Sequence, residues 1–491
     1  MNPYVNQELI IRKIKKYNKD NLLQNLYFIL KRADLDNKKN YPIWQCLLLI
    51  KWTYLYGKEN AKENISAKKL NTLLKYMEEF ENKTFNPLLK VDDWDTIFQI
   101  KTYQQFYLQQ EVHWSDFARQ LKLYGNSLKS RHDIDKAFNE ITGMKISDFI
   151  FFIYIIWFFT ISDKTNYGNY TYRGYIENGI FEFLKNVYKY DTESDSFIKL
   201  LTFNQKNAIK LIKQFNTGLK QSNLQAFEMS CFTQFPFIYK DGKYEIIHRD
   251  IFNYTAHYYI YDYMKNCDNK FSIEFGRRFE KYVELGIKES KINYKTEKDL
   301  VFEFGQNEKV IDFLLNNQVL VECKSIEPKP LPSVMPEDSI VYRSLRSSII
   351  KAYLDQMLNV VKQKKELDKP LYGIIITYKD FYYSSLSDLN NIIKDEVENI
   401  CKENGWSINP LPPENVFVIN LTSWDVIVEI LKEGKCTLPE LLKNAVDTNK
   451  NQKTRWFYGF LKQYLAPQGK VSYLEKENQT LKNTISSRKR L

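Results

Sequence analysis

The chain has 491 residues, 44% apolar, 27% charged and 15% aromatic, with a net charge of +11. That length allows more than one core, and the basic excess favours an anionic partner such as nucleic acid, although a Lys-, Asn-, Ile- and Tyr-rich composition also raises it. Six scattered cysteines without a C-x-x-C pair argue against a zinc ribbon or a disulfide framework and for a reducing cytoplasm.

Taken in order, residues 1–228 read as a helical domain. Apolar residues recur at three- and four-residue spacing over 8–32 and 44–56. A helix opens at Asp133-Ile134-Asp135 and closes at Gly143, and Ser147 is the expected cap of the aromatic helix that follows. The run FIFFIYIIWFFTI, residues 149–161, falls short of the roughly 20 residues a bilayer span needs, so a buried core helix and no membrane are expected. The opening MNPYVNQELI shows no apolar signal core. Further helices are expected at 176–188 and 207–215.

Near residue 230 the pattern changes. Strands 235–239 and 244–247 flank Asp241-Gly242, a strong type I′ hairpin signal. Asp250 then caps a helix to about 264, and a polar break at 267–270 precedes a helix over 272–289. Strands follow at 300–304, 309–315 and 319–325, then a proline loop, a helix over 339–365, strands at 371–377 and 416–420, and a helix over 423–432. The expected fold is mixed α+β, with an α/β domain at 229–432. The tail, 433–491, is helical. Its Val471, Leu474, Asn478, Leu481 and Ile485 spacing suits a docked helix better than a dimer zipper.

The stretch KVIDFLLNNQVLVECKS, residues 309–325, is the most informative. Two apolar strands flank Asn316-Asn317-Gln318, yet they hold Asp312, Glu322 and Lys324. A charge inside a buried strand costs several kcal/mol unless paired or metal-bound, so these three mark a site. A three-residue loop sets Asp312 opposite Glu322 on one face, whereas a one-residue slip would separate them. Lys324, two residues beyond Glu322, shares its face. Asp312 and Glu322, with the Cys323 carbonyl, offer hard oxygens for Mg²⁺. From its position Lys324 can orient an attacking water or stabilise developing negative charge.

Asp312 followed by Glu322-Cys323-Lys324, within helix, three strands, helix and strand, resembles the PD-(D/E)xK nuclease superfamily over roughly residues 235–430. Ile311 stands where the motif's first letter has proline. The resemblance implies a restriction-endonuclease-like core that hydrolyses phosphodiester bonds with Mg²⁺, for which Mn²⁺ can substitute. It implies Glu280, on the preceding helix, as a further metal ligand, and Gln356, on the following helix, as a polar residue at the scissile phosphate or a water. Arg277, Arg278, Arg343, Arg346 and Lys351 are the expected contacts to the nucleic-acid backbone.

No histidine pair has metal spacing, and neither G-x-x-x-x-G-K-[ST] nor G-x-S-x-G occurs. DNA is the favoured substrate, with the helical half recognising substrate, partner or trigger. A standalone nuclease of this kind resembles prokaryotic antiviral defence effectors. An RNA-cleaving enzyme of the same fold and a catalytically silent binding scaffold are the alternatives. A homodimer or a regulatory protein partner is compatible with either.

Overall fold

A computed structural model describes residues 5–36, 42–85, 94–104, 112–125, 127–128, 131–161, 180, 184, 192–215, 223–306, 308–335, 337–364, 369–451, 457–464 and 471–488. The fold is mixed α+β, predominantly helical, with two small mixed sheets. The chain forms two compact units from interleaved stretches. One comprises Met1–Val112, Asp135–Asp268 and Thr480–Leu491, the other His113–Ile134 and Asn269–Gln479. These borders do not coincide with the expected 228/229 and 432/433, because residues 229–268 fold with the first unit, and residues 113–134 and most of the tail with the second.

The first unit is built on apolar helices. Ile43–Tyr56 is buried along most of its length, and Trp52 packs edge-on against Phe80. The expected 8–32 helix is two, Gln7–Ile14 and Lys19–Asp36. The aromatic helix, Ile146–Ile161, is buried from Phe149 to Trp157, with Phe149 stacked on Tyr259 at 4.9 Å. Among the described residues no single helix is long and apolar enough to cross a membrane. Its start is satisfied by Asp135, whose carboxylate accepts the Ile146 N–H at 2.7 Å, and Ser147 lies inside the first turn. The helix expected at 176–188 lies almost wholly outside the described residues. A three-stranded sheet joins β1 (Thr202–Phe203), β2 (Phe237–Lys240) and β3 (Lys243–Ile246), with Asp241 and Gly242 both left-handed at the hairpin tip. The helix after it, Arg249–Cys267, is capped by His248 Nδ1, which accepts from the Asp250 N–H, rather than by Asp250.

The second unit holds the five-stranded sheet, ordered β4 (Tyr294–Thr296), β5 (Phe313–Leu315), β6 (Val319–Lys324), β7 (Tyr372–Thr377) and β8 (Val416–Asn420). The first three pair antiparallel, while β6–β7 and β7–β8 are parallel. Parallel partners need covered crossovers, and β7 is buried at every residue. The strand expected at 300–304 is instead a helix, Glu297–Phe304. Thr296 caps it in a reciprocal box with Asp299, and left-handed Gly305 ends it. The antiparallel partner of β5 is the short β4 just upstream. The helix expected over 339–365 is broken into Asp338–Leu345 and a second run from Ile349 that passes through a π-helical turn, Ala352–Met357, to Gln363. In the tail, Val471, Leu474, Asn478 and Leu481 are buried and Ile485 partly so, along the Glu475–Arg488 helix and its approach.

Candidate metal and catalytic site

The β5–β6 loop has the expected three residues. Leu315 pairs with Val319, Leu314 with Leu320 and Phe313 with Val321. Asn316 (φ 48°) and Asn317 (φ 53°) occupy the left-handed region that asparagine tolerates, and the Gln318 N–H closes the turn on the Leu315 carbonyl at 2.9 Å. One further step sets Asp312 opposite Glu322. There the backbone ladder gives way to side chains. The Glu322 carboxylate accepts the Asp312 N–H at 3.2 Å, and the Asp312 carboxylate accepts the Cys323 N–H at 2.6 Å. Both acids therefore replace strand hydrogen bonds, which satisfies buried amides while fixing the carboxylates in place. The Cys323 carbonyl points to the same side of the strand as its N–H, beside Asp312.

Glu322, only 2% exposed, is ringed by donors. Lys324 Nζ lies 2.5 Å and Gln356 Nε2 2.8 Å from its Oε1. Gln356 Oε1 in turn accepts from Lys324 Nζ at 3.1 Å, and Gln356 Nε2 also reaches the Val310 carbonyl at 3.0 Å. Gln356 stands in the π-helical turn. The extra residue of such a turn changes which side chains face inward, and π-turns recur at functional sites. The four residues Asp312, Glu322, Lys324 and Gln356 thus form one connected group.

Glu280 comes to the same place from the helix Phe271–Glu289, which approaches β6 closely: a Cβ on Gly276 would stand 3.3 Å from the Ser325 hydroxyl. Glu280, Asp312 and Glu297 each bring a carboxylate oxygen within 4.8 Å of the other two. Glu297 was not expected. It is the first residue of the helix misread as a strand, and the Thr296-x-x-Asp299 capping signature was the signal that could have found it. Glu322 stands beside this trio rather than in it, its oxygens already committed to Lys324, Gln356 and the Asp312 amide.

Burial, then the charge of Glu322, holds the Asp312 carboxyl well above the usual range. Burial raises Glu322 as well, against the pull of Lys324 and Gln356. Burial, followed by Glu297 and Glu322, raises Glu280. Neighbouring acids all pushed up together are short of compensating positive charge, which a cation would supply. The donors are carboxylate oxygens without imidazole, and oxygens opposed across Mg²⁺ lie about 4.2 Å apart, so the trio fits a hard divalent ion such as Mg²⁺ or Mn²⁺.

The expected basic contacts divide. Arg278 is fully buried. It donates to the carbonyls of Leu123, Tyr124 and Gly125 at 2.8–3.1 Å and to that of His132 at 3.2 Å, and pairs with Glu274. It is a structural residue and cannot meet a nucleic acid. Arg277 is 44% exposed and lies 3.6 Å from Glu274. Arg346 bonds Asp355 at 3.1 Å, while Arg343 and Lys351 are exposed. Comparison of the chain with protein-family models, with curated proteins and with solved structures returned no match.

Proposed function

We propose that this chain is a Mg²⁺-dependent endonuclease of the PD-(D/E)xK kind that hydrolyses phosphodiester bonds, with DNA as substrate. Three carboxylates gathered within 4.8 Å, beside a lysine held by Glu322 and Gln356, are the arrangement that carries this reading. The order of the sheet, an antiparallel trio continued by two parallel strands with Glu280 on the preceding helix, supports it.

Asp312, Glu280 and Glu297 would hold the ion, with the Cys323 carbonyl adjacent. Bound there, Mg²⁺ supplies Lewis acidity to a phosphate oxygen and lowers the pKa of a coordinated water. Glu322 keeps the Lys324 ammonium at a fixed point on the rim of the acid cluster. Gln356 holds both, so Lys324 is positioned before substrate arrives, which is the condition for electrostatic stabilisation. Its protons can orient a water for in-line attack on phosphorus and then face the charge that develops as the phosphorus–oxygen bond breaks. Arg277, Arg343, Arg346 and Lys351 are the remaining candidates for the flanking phosphates. Action as an antiviral effector rests on the resemblance, and a reducing, cytoplasmic setting on the six scattered cysteines.

Nicking of supercoiled plasmid with Mg²⁺, set beside digestion of RNA, tests this reading. Wild-type protein should convert plasmid to open circles, and Asp312→Ala, Lys324→Ala and EDTA should each stop it. RNA cleaved in preference to DNA would move the substrate within the same chemistry. No cleavage of either, or equal cleavage by Asp312→Ala, would refute the nuclease reading.

A further inference from the structure

The first unit contains a cavity of about 690 Å³ that the nuclease chemistry does not use. One wall is the segment from Gln205 through the short helix Ala208–Gln214. Ala208 and Ile212 are buried on its inner side, so Lys206, Lys210 and Lys213, spaced four and three residues apart, share the outer one. All three are exposed, and no ion pair involves them among the described residues. Opposite them stands Lys19, whose side chain is only 14% exposed; it lies over the Tyr54 ring, 5.8 Å from its centre, and 3.3 Å from the Glu59 carboxylate. The loop carrying Glu59 is braced by the Asn18 amide, which donates to the Glu59 and Ala61 carbonyls at 3.1 and 3.4 Å.

Four lysines against one carboxylate leave the cavity strongly positive. Glu59 already pairs with Lys19, so the three exposed lysines are the charges an anionic phosphate would meet. Lysine is a point-charge phosphate binder, and the amide of Gln214 on the same wall can pair with the polar edge of a base, while the Gln205 amide donates to the Tyr239 carbonyl at 3.3 Å. The volume falls within the 300–1,000 Å³ of small-ligand pockets. We propose that this cavity binds the phosphates of a nucleotide, free or within a nucleic-acid strand, at a site independent of the Asp312 centre.

The test measures binding to the full-length protein in EDTA, so that no cleavage intervenes. One probe is ATP, followed by calorimetry; the other is a fluorescent 12-nucleotide single strand, followed by anisotropy across salt concentrations. The triple variant Lys206→Ala, Lys210→Ala, Lys213→Ala should bind at least one probe tenfold or more weakly, whereas the corresponding triple arginine variant should stay within threefold of wild type. Loss confined to ATP identifies a free nucleotide as the ligand. Loss on the strand, with a salt slope lower by about 2 because each phosphate contact contributes about 0.7, identifies a backbone. Because the lysines are exposed, the melting temperature should hold and certify folding. If neither probe binds wild type, or if the alanine triple binds both within twofold, the proposal is overturned; either result leaves the plasmid-nicking test untouched.

Discussion

Asp312 and its neighbours are the residues on which pH and metal should act together. A carboxyl whose pKa is higher folded than unfolded keeps its proton longer in the native state. Its contribution to stability therefore falls as pH rises from the unfolded value, near 4, through the raised folded one. Asp312, Glu322 and Glu280 are all raised, so in EDTA the second unit should lose stability over that window, and Asp312→Asn should flatten the loss. Mg²⁺, if held by these acids as proposed, should reverse the sign, since it would bind only their ionised forms. At a concentration ten times its dissociation constant it should add about 1.4 kcal/mol, with a larger thermal shift at pH 8 than at pH 5.5. Differential scanning fluorimetry checks both; equal Mg²⁺ shifts at the two pH values would remove the carboxylate trio as the binding site. Glu297→Gln removes one of its three charges while leaving Glu322, Lys324 and Gln356 in place. Calorimetric titration should show Mg²⁺ affinity at least about tenfold weaker, since even residues that only support a metal's ligands are worth 10–100-fold.

At the level of elements, the hairpin was readable and its surroundings less so. Two continuous apolar runs around Asn316 and Asn317 marked the hairpin, and the charged pair Asp312 and Glu322 within them specified its register, because a one-residue slip would have put the two on opposite faces. The run Leu300–Phe304 looks equally strand-like, but its fate was decided at its ends, by the Thr296–Asp299 box and by Gly305. Only Leu300 of that helix is buried, and Phe302 is 94% exposed, so local capping outweighed apolar content. Thr296→Ala should therefore cost about 1 kcal/mol, typical of a lost cap. It should also weaken Mg²⁺ binding, since Glu297 is the first residue beyond the cap. A variant with reduced stability but unchanged Mg²⁺ affinity would separate Glu297 from the site. The π-helical turn that aims Gln356 left no sequence signature at all. Nothing in Ala-Tyr-Leu-Asp-Gln-Met differs in periodicity from an ordinary helix.

For the molecule as a whole, the residues hardest to read were those whose partners lie far along the chain. Arg278 sits three residues from the surface-exposed Lys281 and reads as one more basic helix residue, yet its guanidinium donates to four carbonyls about 150 residues upstream. Three of those carbonyls, of Leu123, Tyr124 and Gly125, lie at the end of the helix Trp114–Tyr124, where backbone acceptors run out of intrahelical donors, and the fourth, of His132, lies further along the same segment. The same upstream segment is tied a second time. Arg119 meets Asp116 at 2.7 Å and Asp425 at 2.6 Å, and Asp425 also accepts from the Tyr282 hydroxyl at 3.0 Å and from that of Tyr473. The second unit is thus closed around residues 113–134 by two buried arginines rather than by sequence continuity. Arg278→Ala would strip five acceptors, counting Glu274, of a buried donor and leave that carboxylate without its closest cation. Breaking a buried pair in this way costs about 3–5 kcal/mol. Urea unfolding should register that loss, while Arg343→Ala, at an exposed position, should stay within about 0.5 kcal/mol of wild type. Their effects on nucleic acid should be opposite: at temperatures where both remain folded, Arg343→Ala should weaken binding to a DNA duplex and Arg278→Ala should not. A folded Arg278→Ala protein with wild-type stability and weakened DNA binding would return this residue to the interface and leave the 113–134 segment held by Arg119, Lys122 and Tyr124.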